Sequence, residues 1–423
     1  MPLFTDVPCT ACGCVCDDLS VQVEGPKLTP VLGACRLAEA WFGRFNNQST
    51  GVARHQGKEC SYEHALTEAA AILTVSQAPL IYGLSRSSTG GQRAAVALAE
   101  QLGAVIDTTA SVCHGPSIMA IQEVGESTCS LGEISQRADL VIFWGANPVV
   151  SHPRHLERYS ADPSSFLLPE GRHDRTVVVI DIEETETARI ADDFIRVEPG
   201  RDFEFLWQLR AAVAGIPQQN CPAAVEKLAR QMKSCRYGVV FFGLGIAQAH
   251  LGHRTVVGVL KLVAELNRYT RFAARRLRIP GDVSGADSVL CWQTGYPFAV
   301  DFSRGYPRYQ PDEYIANRLL ERGDVDACLL IGAESLIEFS AAARSTLAQI
   351  PTVVLDPPFA LGTWPATVEI ATATYGVHAP GTAYRMDEIP IPLRTLTESS
   401  LPTDEPVLNH LNRLCAARLK NTR

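Results

Sequence analysis

The feature that most constrains the fold is a series of short, almost wholly apolar runs separated by amphipathic segments. These runs are APLIYGLS (78–85), ADLVIFWGANP (138–148), RTVVVIDIEET (175–185), YGVVFFGLGIAQ (237–248), VDACLLIGAES (325–335) and PTVVLDPPF (351–359). Strands that are apolar on both faces and alternate with helices predict parallel sheets covered by helices on each side. Ligands of such sheets bind beyond the carboxyl ends of the strands, so the turns after these runs are the expected binding sites.

Length and charge narrow the class of protein further. The chain has 423 residues and a net charge of −8, which predicts two or three domains, or one interleaved pair, and disfavours duplex nucleic acid as a partner. It has no apolar run of about 18 residues, the length of a membrane span. Its start, MPLFTDVPCT, lacks the basic and apolar regions of a signal peptide. We therefore expect a cytoplasmic protein without nucleic-acid or membrane partners.

The cysteines near the start of the chain indicate a metal centre. Cys9, Cys12, Cys14 and Cys16 fall within CTACGCVC, and Cys35 follows in GACRLAEAWF. Cytoplasmic thiols stay reduced, and the odd total of 13 cysteines argues against a complete disulfide framework. The spacing CxxCxxxC with one distant cysteine suits an iron–sulfur cluster and leaves Cys14 spare. The alternatives are no metal, or a four-cysteine zinc site, although the second CxxC pair typical of zinc is missing.

Other motifs carry reactive or charged side chains. Cys113 and His114, in ASVCHGPS, precede a helical stretch, where a thiolate can bind metal or act as a nucleophile; the alternative is a buried cysteine beside a hydrogen-bonded histidine. The arginines of RFAARRLRIPGD (271–282) suit a phosphate or polycarboxylate, or form a solvated helix end. Asp181 ends a strand, where an acid commonly binds a ribose hydroxyl. The aromatic loop 294–314 is long enough to indicate a functional loop.

Together these motifs resemble one family. The CxxCxxxC…C start, ADLVIFWGANP and IDIEETETARIAD…VEPGRD are similar to the molybdopterin oxidoreductases, which include formate dehydrogenases. CTACGCVCDD, SVCHGPS, ADLVIFWGANPVVSHPRH, TGYPFAVDFSRGYPRY and PGTAYRMDEIPI look more narrowly like the B-type subunit of formylmethanofuran dehydrogenase. The same family includes the B-type subunit of the bacterial formyltransferase/hydrolase complex. The resemblance covers nearly the whole chain.

The resemblance implies an α/β, molybdopterin-oxidoreductase-like fold. A small N-terminal Cys-rich module at 1–55 would precede two interleaved, doubly wound parallel-sheet domains. One domain would be formed by 56–135 and 285–423 and would carry the loop of Cys113. The other, Rossmann-like, would be 136–284.

The same resemblance implies roles for individual residues. A [4Fe–4S] cluster would be ligated by Cys9, Cys12, Cys16 and Cys35. Cys113 would bind molybdenum or tungsten held by two pterin guanine dinucleotides, and His114 and Arg278 would line the site where carbon dioxide and formate interconvert. The residues expected on cofactor-contacting turns or at the cofactor or carrier are Gly145, Asn147, Asp181, Arg275 and Arg276.

One departure from the resembled family leaves two functions open. Redox-active members carry Met-Pro-Met-Arg-Gly-His around the active-site arginine, whereas RRLRIP keeps Arg278 and has Ile279 and Pro280 in place of Gly-His. Proline cannot carry a proton as histidine does. The chain is therefore either an oxidoreductase subunit or a non-redox scaffold that binds a methanofuran-like carrier through Arg275 and Arg276.

Either function implies a multisubunit complex. The partners implied by the resemblance are an amidohydrolase-type component (the A-type subunit), a C-type subunit, and a pterin-binding D-type subunit or a formyltransferase. A binuclear metal site in a partner would condense formate with the furan amine, or hydrolyse the formyl amide in reverse. A separate polypeptide would also complete the pterin site.

Overall fold

The computed structural model describes residues 1–46 and 52–421. The strands are β1 (Leu3–Val7), β2 (Leu19–Glu24), β3 (Lys27–Leu32), β4 (Ala53–His55), β5 (Lys58–Glu59), β6 (Pro79–Gly83), β7 (Val105–Thr108), β8 (Leu140–Trp144), β9 (Thr176–Asp181), β10 (Asp193–Arg196), β11 (Tyr237–Phe242), β12 (Arg271–Arg276), β13 (Val300–Asp301), β14 (Arg308–Tyr309), β15 (Ala327–Ile331), β16 (Thr352–Asp356), β17 (Val368–Ala371), β18 (Gly381–Tyr384) and β19 (Pro390–Leu393).

The helices alternate with these strands as the sequence pattern predicts. They are α1 (Arg36–Arg44), α2 (Tyr62–Val75), α3 (Thr89–Leu102), α4 (Gly115–Val124), α5 (Leu131–Arg137), α6 (Pro148–Ser151), α7 (Asp202–Val213), α8 (Ala223–Ser234), α9 (Leu244–Ala247), α10 (Gly252–Leu266), α11 (Val283–Thr294), α12 (Pro311–Tyr314), α13 (Ala316–Arg322), α14 (Ala341–Leu347) and α15 (Asp404–Asn421). Within the described residues, none of them is both long enough and apolar enough to cross a membrane.

The structure divides the chain at different points from the sequence analysis. One compact unit comprises 1–112 and 280–423, and the other comprises 113–279. The segment 113–135, which the sequence analysis places in the first domain, belongs to the second unit because α4 packs against α10. The N-terminal residues fall within the first unit instead of forming a separate module. Residues 47–51 of the predicted module and 422–423 of the predicted domain 285–423 lie outside the described residues.

The first unit is built on one mixed sheet. Among the described residues its nine strands run in the order β14-β13-β7-β6-β15-β16-β17-β4-β5. The run from β7 to β17 is parallel, and the short strands at both edges are antiparallel. Alternate residues of β15 enter two different cores: Leu329 packs with α2, α3 and α15, and Leu330 packs with α13 and α14. Helices therefore cover both faces, as predicted.

The second unit contains a fully parallel sheet. Its strands lie in the order β10-β9-β8-β11-β12. The first strand of this unit along the chain, β8, is central, and the winding direction reverses between β8 and β11, so a ligand crevice is expected there. Apolar side chains of α7, α8 and α10 pack on the sheet. The prediction of an α/β protein with parallel sheets is confirmed.

The cysteine-rich segment connects two antiparallel strands near the start of the chain. The strands β1, β2 and β3 form a small sheet, and residues 8–18 join β1 to β2. Val15 is fully buried in an apolar cluster with Ala383, Ile391 and Leu393 of the hairpin β18–β19. In the turn of this hairpin, Met386 N donates a hydrogen bond to Gly13 O at 2.9 Å. The hairpin therefore holds the cysteine loop at Gly13 and at Val15.

The long aromatic loop of the first unit is fixed by one buried carboxylate. Asp107 is fully buried at the end of β7. Its Oδ1 accepts hydrogen bonds from Thr108 N and Ala299 N, both at 3.0 Å, and its Oδ2 accepts from Ala316 N at 2.7 Å. A single side chain thus satisfies main-chain donors at the two ends of the segment 299–316, which explains how so long a loop is ordered.

This arrangement predicts the effect of an isosteric change. In Asp107→Asn the amide NH₂ must face a main-chain N–H, so at least one buried donor loses its acceptor. We expect a loss of about 1–3 kcal/mol of stability, measured by urea unfolding followed by circular dichroism. Asp312→Asn is the matched control, because the side chain of Asp312 is 70% exposed. Equal stability of the two variants would contradict the role assigned to Asp107.

Candidate functional site

At the point where the sheet of the second unit reverses, glycines occupy two neighbouring turns. Gly145 follows β8, and Gly243 and Gly245 follow β11. Gly245 N donates to Gly145 O at 3.0 Å. A Cβ atom on Gly145 would lie 2.9 Å from Ile246 N, and one on Gly243 would lie 2.4 Å from Gly145 O. The two turns therefore touch main chain to main chain, and Gly145, predicted to contact a cofactor, lies at the point where the sheet reverses.

Asn147 and Asp181 lie on adjacent turns of the same sheet edge. Asn147 Oδ1 accepts from Thr187 Oγ1 at 2.8 Å, and its Nδ2 donates to Glu186 Oε2 at 2.7 Å. The Asn147 side chain therefore organises the turn after β9. Asp181, the last residue of β9, accepts from Ile182 N at 2.8 Å, and partial burial raises the pKa of its carboxyl. The structure thus brings Gly145, Asn147 and Asp181 to one edge.

Cys113 and His114 lie directly before α4 in the second unit. The Sγ atom of Cys113 lies 3.9 Å from Ile279 O, and its main-chain oxygen accepts from Gln248 Nε2 at 2.5 Å. His114 is fully buried. Its Nε2 lies 2.9 Å from Leu277 O, and its Nδ1 lies 3.0 Å from Ser117 Oγ. Both ring nitrogens are therefore engaged inside the protein.

Burial and neighbouring charge together keep His114 neutral. Its pKa is lowered well below the ordinary value, first by burial and then by the positive charges of Arg278 and Arg276. His114 Nε2 lies 2.9 Å from the main-chain oxygen of Leu277, the residue before Arg278. The structure therefore brings the predicted site residues His114 and Arg278 together within the second unit.

The arginine cluster is not the solvated helix end that the sequence left open as an alternative. Arg275 and Arg276 end strand β12 and Arg278 follows it, and their exposed fractions are only 1%, 7% and 1%. Arg275 Nη1 donates to Thr128 Oγ1 at 2.6 Å, and Arg276 Nη2 lies 3.9 Å from Glu126 Oε2. These side chains are buried at the end of a strand instead of being solvated at the end of a helix. That Arg275 and Arg276 bind a carrier stays a prediction.

The four cysteines predicted to bind a cluster lie near one another. Cys9, Cys12 and Cys16 are buried and Cys35 is partly buried. Cys9 N donates to Cys16 O at 2.8 Å. Burial raises the pKa of the Cys9 thiol, and the charges of Cys12, Cys16 and Cys35 raise it further, which places all four side chains within electrostatic reach. Burial raises the pKa of the Cys14 thiol, and hydrogen bonding to Cys12 and Cys16 raises it further.

This group of thiols does not form a site for a single ion. In the described ranges 1–46 and 52–421, no three His, Cys, Asp or Glu side chains are placed to hold one metal ion together. In a zinc site all ligands converge on one atom, whereas in a cubane cluster each thiolate binds a different iron atom, so its sulfurs stand further apart. Four neighbouring thiols are a donor set that a [4Fe–4S] cluster can use.

A cavity of about 500 Å³ opens within the first unit at the carboxyl ends of β15 and β16. Asp356, the last residue of β16, accepts from Ala333 N at 2.9 Å, and burial raises the pKa of its carboxyl to about 7. Glu334 pairs with Arg86 and Arg44 at the cavity wall. Burial opposes ionisation of Glu334, but the two arginines lower its pKa below the ordinary value.

These cavity residues were not predicted from the sequence. The signal available for Asp356 was the same as for Asp181, an acid at the end of an apolar strand, because the strand within PTVVLDPPF ends on Asp356. Arg86 had no local signal: its guanidinium lies over the ring of Trp41 at 4.6 Å, and its Nη1 donates to Thr10 O at 2.5 Å. Those partners are far from Arg86 in sequence, and only the folded chain brings them to the cavity.

Comparisons with solved structures define the class of fold. The formyltransferase/hydrolase complex FhcABCD of Methylorubrum extorquens, crystallised with methylofuran, contains a chain that matches with a TM-score of 0.74 and 22% identity, covering 87% of this chain and 99% of that chain. Acetylene hydratase from Pelobacter acetylenicus matches with a TM-score of 0.70 and 12% identity, covering 98% of this chain and 69% of that chain. The chain therefore has the α/β fold of these two proteins.

Comparisons with curated proteins define the family. The B-type subunit of a tungsten-containing formylmethanofuran dehydrogenase 2 from Methanocaldococcus jannaschii is 42% identical over 414 residues, 93% of each chain. The B-type subunit of the Fhc formyltransferase/hydrolase complex from Methylorubrum extorquens is 26% identical over 278 residues, 66% of this chain and 74% of that protein. No protein-family model matches. The chain belongs to the family of B-type subunits of formylmethanofuran dehydrogenase, whose members are parts of multisubunit complexes in one-carbon metabolism.

The glycine turns predict a measurable difference between two alanine variants. Gly145 and Gly200 both have positive φ, +55° and +78°, but a Cβ atom on Gly200 would meet nothing within 4 Å. Gly200→Ala should therefore cost only the conformational strain, about 1–2 kcal/mol. Gly145→Ala should cost about 1–3 kcal/mol more, because the methyl group enters the Gly245 turn. The midpoints of thermal unfolding measure both effects, and similar midpoints would contradict the close packing of the turns.

Proposed function

We propose that the chain is the redox subunit of a formylmethanofuran dehydrogenase-type complex. The observation that carries this proposal is 42% identity across 93% of both chains with a subunit named tungsten-containing. The reaction would be the reduction of carbon dioxide by two electrons and one proton to formate, or its reverse. A pterin-bound tungsten or molybdenum would supply the two-electron chemistry, and a [4Fe–4S] cluster would deliver the electrons singly.

Specific residues of this chain would hold these groups. Cys113 would provide a thiolate ligand to the metal, since a thiolate before a helix is stabilised by the helix dipole. The turns at Gly145 and Asn147 would lie beside a phosphate or pterin ring, and Asp181 can accept hydrogen bonds from a ribose. The cavity with Asp356 in the first unit has the same chemistry for a second dinucleotide.

The cluster would be held by the N-terminal cysteines. Cys9, Cys12, Cys16 and Cys35 would bind one iron each, with Cys14 as a neighbouring thiol. The proximity of these thiols in the described structure supports this assignment. The segment that carries them would then be the iron–sulfur part of the first unit.

The substrate site would depend on Arg278. A guanidinium group binds a carboxylate through two parallel hydrogen bonds, and burial of Arg278 strengthens such a contact by excluding water. His114, neutral and hydrogen-bonded on both sides, would support this region through the main chain. Formate would therefore be recognised by charge and orientation rather than by shape.

A second candidate function follows from Ile279 and Pro280. The resembled redox enzymes carry Gly-His at these positions, and neither isoleucine nor proline can transfer a proton. In this alternative the chain is a non-redox scaffold of a formyltransferase/hydrolase complex and contributes to binding a methanofuran-like carrier. The related solved complex contains methylofuran. Partners of the amidohydrolase type, a C-type subunit and a pterin-binding D-type subunit or formyltransferase would complete either complex.

Metal analysis after anaerobic purification of the complex tests the redox proposal. We expect about four iron atoms per chain and stoichiometric tungsten or molybdenum. Cys113→Ser should lose the tungsten or molybdenum and keep the iron. Cys221→Ser, at another partly buried cysteine of the second unit, should keep both. Iron without tungsten or molybdenum in the unmodified complex would reject the redox function and favour the scaffold.

A pair of neighbouring cysteines tests the cluster assignment. Cys12→Ser removes a proposed ligand and should abolish most of the bound iron together with the visible absorption of the cluster. Cys14→Ser changes a thiol of the same loop that is buried like Cys12 but is not a proposed ligand, so iron should be retained. Iron loss in Cys14→Ser with retention in Cys12→Ser would show that the ligands are assigned incorrectly.

A further inference from the structure

Side chains of the second unit contact three successive main-chain carbonyl oxygens after β12. His114 Nε2 lies 2.9 Å from Leu277 O, and His152 Nε2 lies 2.9 Å from Arg278 O. Cys113 Sγ lies 3.9 Å from Ile279 O. His114 and His152 come from different parts of the unit, the start of α4 and the residue after α6. We name the two contacts made by the histidines the histidine clasp.

The acceptors of the clasp fix the tautomer of each ring. A carbonyl oxygen can only accept, so both Nε2 atoms must carry the proton, and both Nδ1 atoms must accept. Each Nδ1 has a serine hydroxyl within reach: Ser117 Oγ lies 3.0 Å from that of His114, and Ser151 Oγ lies 2.8 Å from that of His152. The clasp therefore consists of two parallel Ser–His–carbonyl units on adjacent residues.

The histidine clasp lies where the pairing of β12 with β11 ends. Leu277 N donates to Phe242 O at 3.1 Å, which continues the pairing of β12 with β11 by one residue. Strand β12 is at the edge of its sheet, so the carbonyl groups that follow need donor partners from outside the sheet. Both histidines are essentially buried, with exposed fractions of 0% and 1%. A buried carbonyl oxygen that accepts no hydrogen bond would destabilise the folded chain.

We propose that His152 is a positioning residue, which together with His114 holds the main chain at 277–278 and so fixes the place from which the Arg278 side chain extends. Ser151 Oγ lies beside the other ring nitrogen of His152 and also 3.1 Å from Asn147 O, so it is Arg278 O that sets the tautomer of His152. The consequence for catalysis rests on the proposed function, in which Arg278 binds the carboxylate of formate. The structural consequence for residues 277–279 does not depend on the proposed function.

Hydrogen exchange on the full chain tests the structural consequence without any cofactor. His152→Phe keeps a ring of similar size and removes the donor, so amides in the peptide 277–281 should exchange about tenfold faster. His152→Gln places an amide N–H near the position of Nε2 and should restore exchange to within about twofold of the unmodified chain.

His155→Phe provides the matched control for that experiment. His155 is fully buried and lies three residues from His152, but its Nδ1 contacts Ser160 Oγ at 2.9 Å instead of the 277–279 segment. Exchange at 277–281 should stay unchanged in this variant. Unchanged exchange in His152→Phe, or exchange in His152→Gln as fast as in His152→Phe, would overturn the proposal.

Kinetics of the assembled complex test the catalytic consequence. His152→Phe should raise the KM for formate about tenfold with a smaller change in kcat, because anion binding by Arg278 is misaligned, and His152→Gln should recover most of the affinity. Equal KM values in all forms would reject the catalytic role. If the unmodified complex binds no pterin metal, the proposed function fails, while the hydrogen-exchange result still decides whether His152 positions the chain.

Discussion

The structure depends on close main-chain approach at the points where its two parallel sheets reverse their winding. In the first unit a Cβ atom on Gly83 would lie 2.1 Å from Ile331 O, and in the second unit one on Gly245 would lie 2.8 Å from Gly145 O. Because the connections leave such a point in opposite directions, their loops separate and open a crevice. The cavity containing Asp356 lies at this sheet edge in the first unit, and the turns around Gly145 and Asp181 lie at the corresponding edge in the second.

Features encoded in local pattern could be predicted from the sequence, and features that depend on distant partners could not. The apolar runs identified the parallel strands because both faces are buried, and the strand-end acid Asp181 identified its sheet edge. Arg275 illustrates the opposite case. Its arginine-rich surroundings resemble a solvated helix end, but its partner Thr128 lies 147 residues away in sequence. His152 lacks a local signal for the same reason, since its partner is the main chain of Arg278.

Electrostatics and hydrogen bonding in the second unit both require His114 to be neutral. The positive charges of Arg276 and Arg278 add to the effect of burial and keep the pKa of the imidazole low. A neutral imidazole has one donor and one acceptor nitrogen, which is what its contacts with Leu277 O and Ser117 Oγ require. The arginines thus stabilise the protonation state in which His114 can hold the chain that carries Arg278, so the charged and neutral groups of this region support one another.

The same segment contains the main departure from the resembled redox enzymes. Ile279 precedes a proline, which restricts it to extended conformations, and its branched side chain is stiff. A Gly-His pair would be far more mobile, because glycine has the widest conformational freedom. Compared with the Gly-His that the resemblance implies, Ile279 and Pro280 would therefore lack a titratable side chain and would make the main chain beside Cys113 Sγ, 3.9 Å from Ile279 O, more rigid. A metal site and a carrier-binding scaffold can both use such rigidity, but a redox site must in addition obtain its proton from a group other than residue 280.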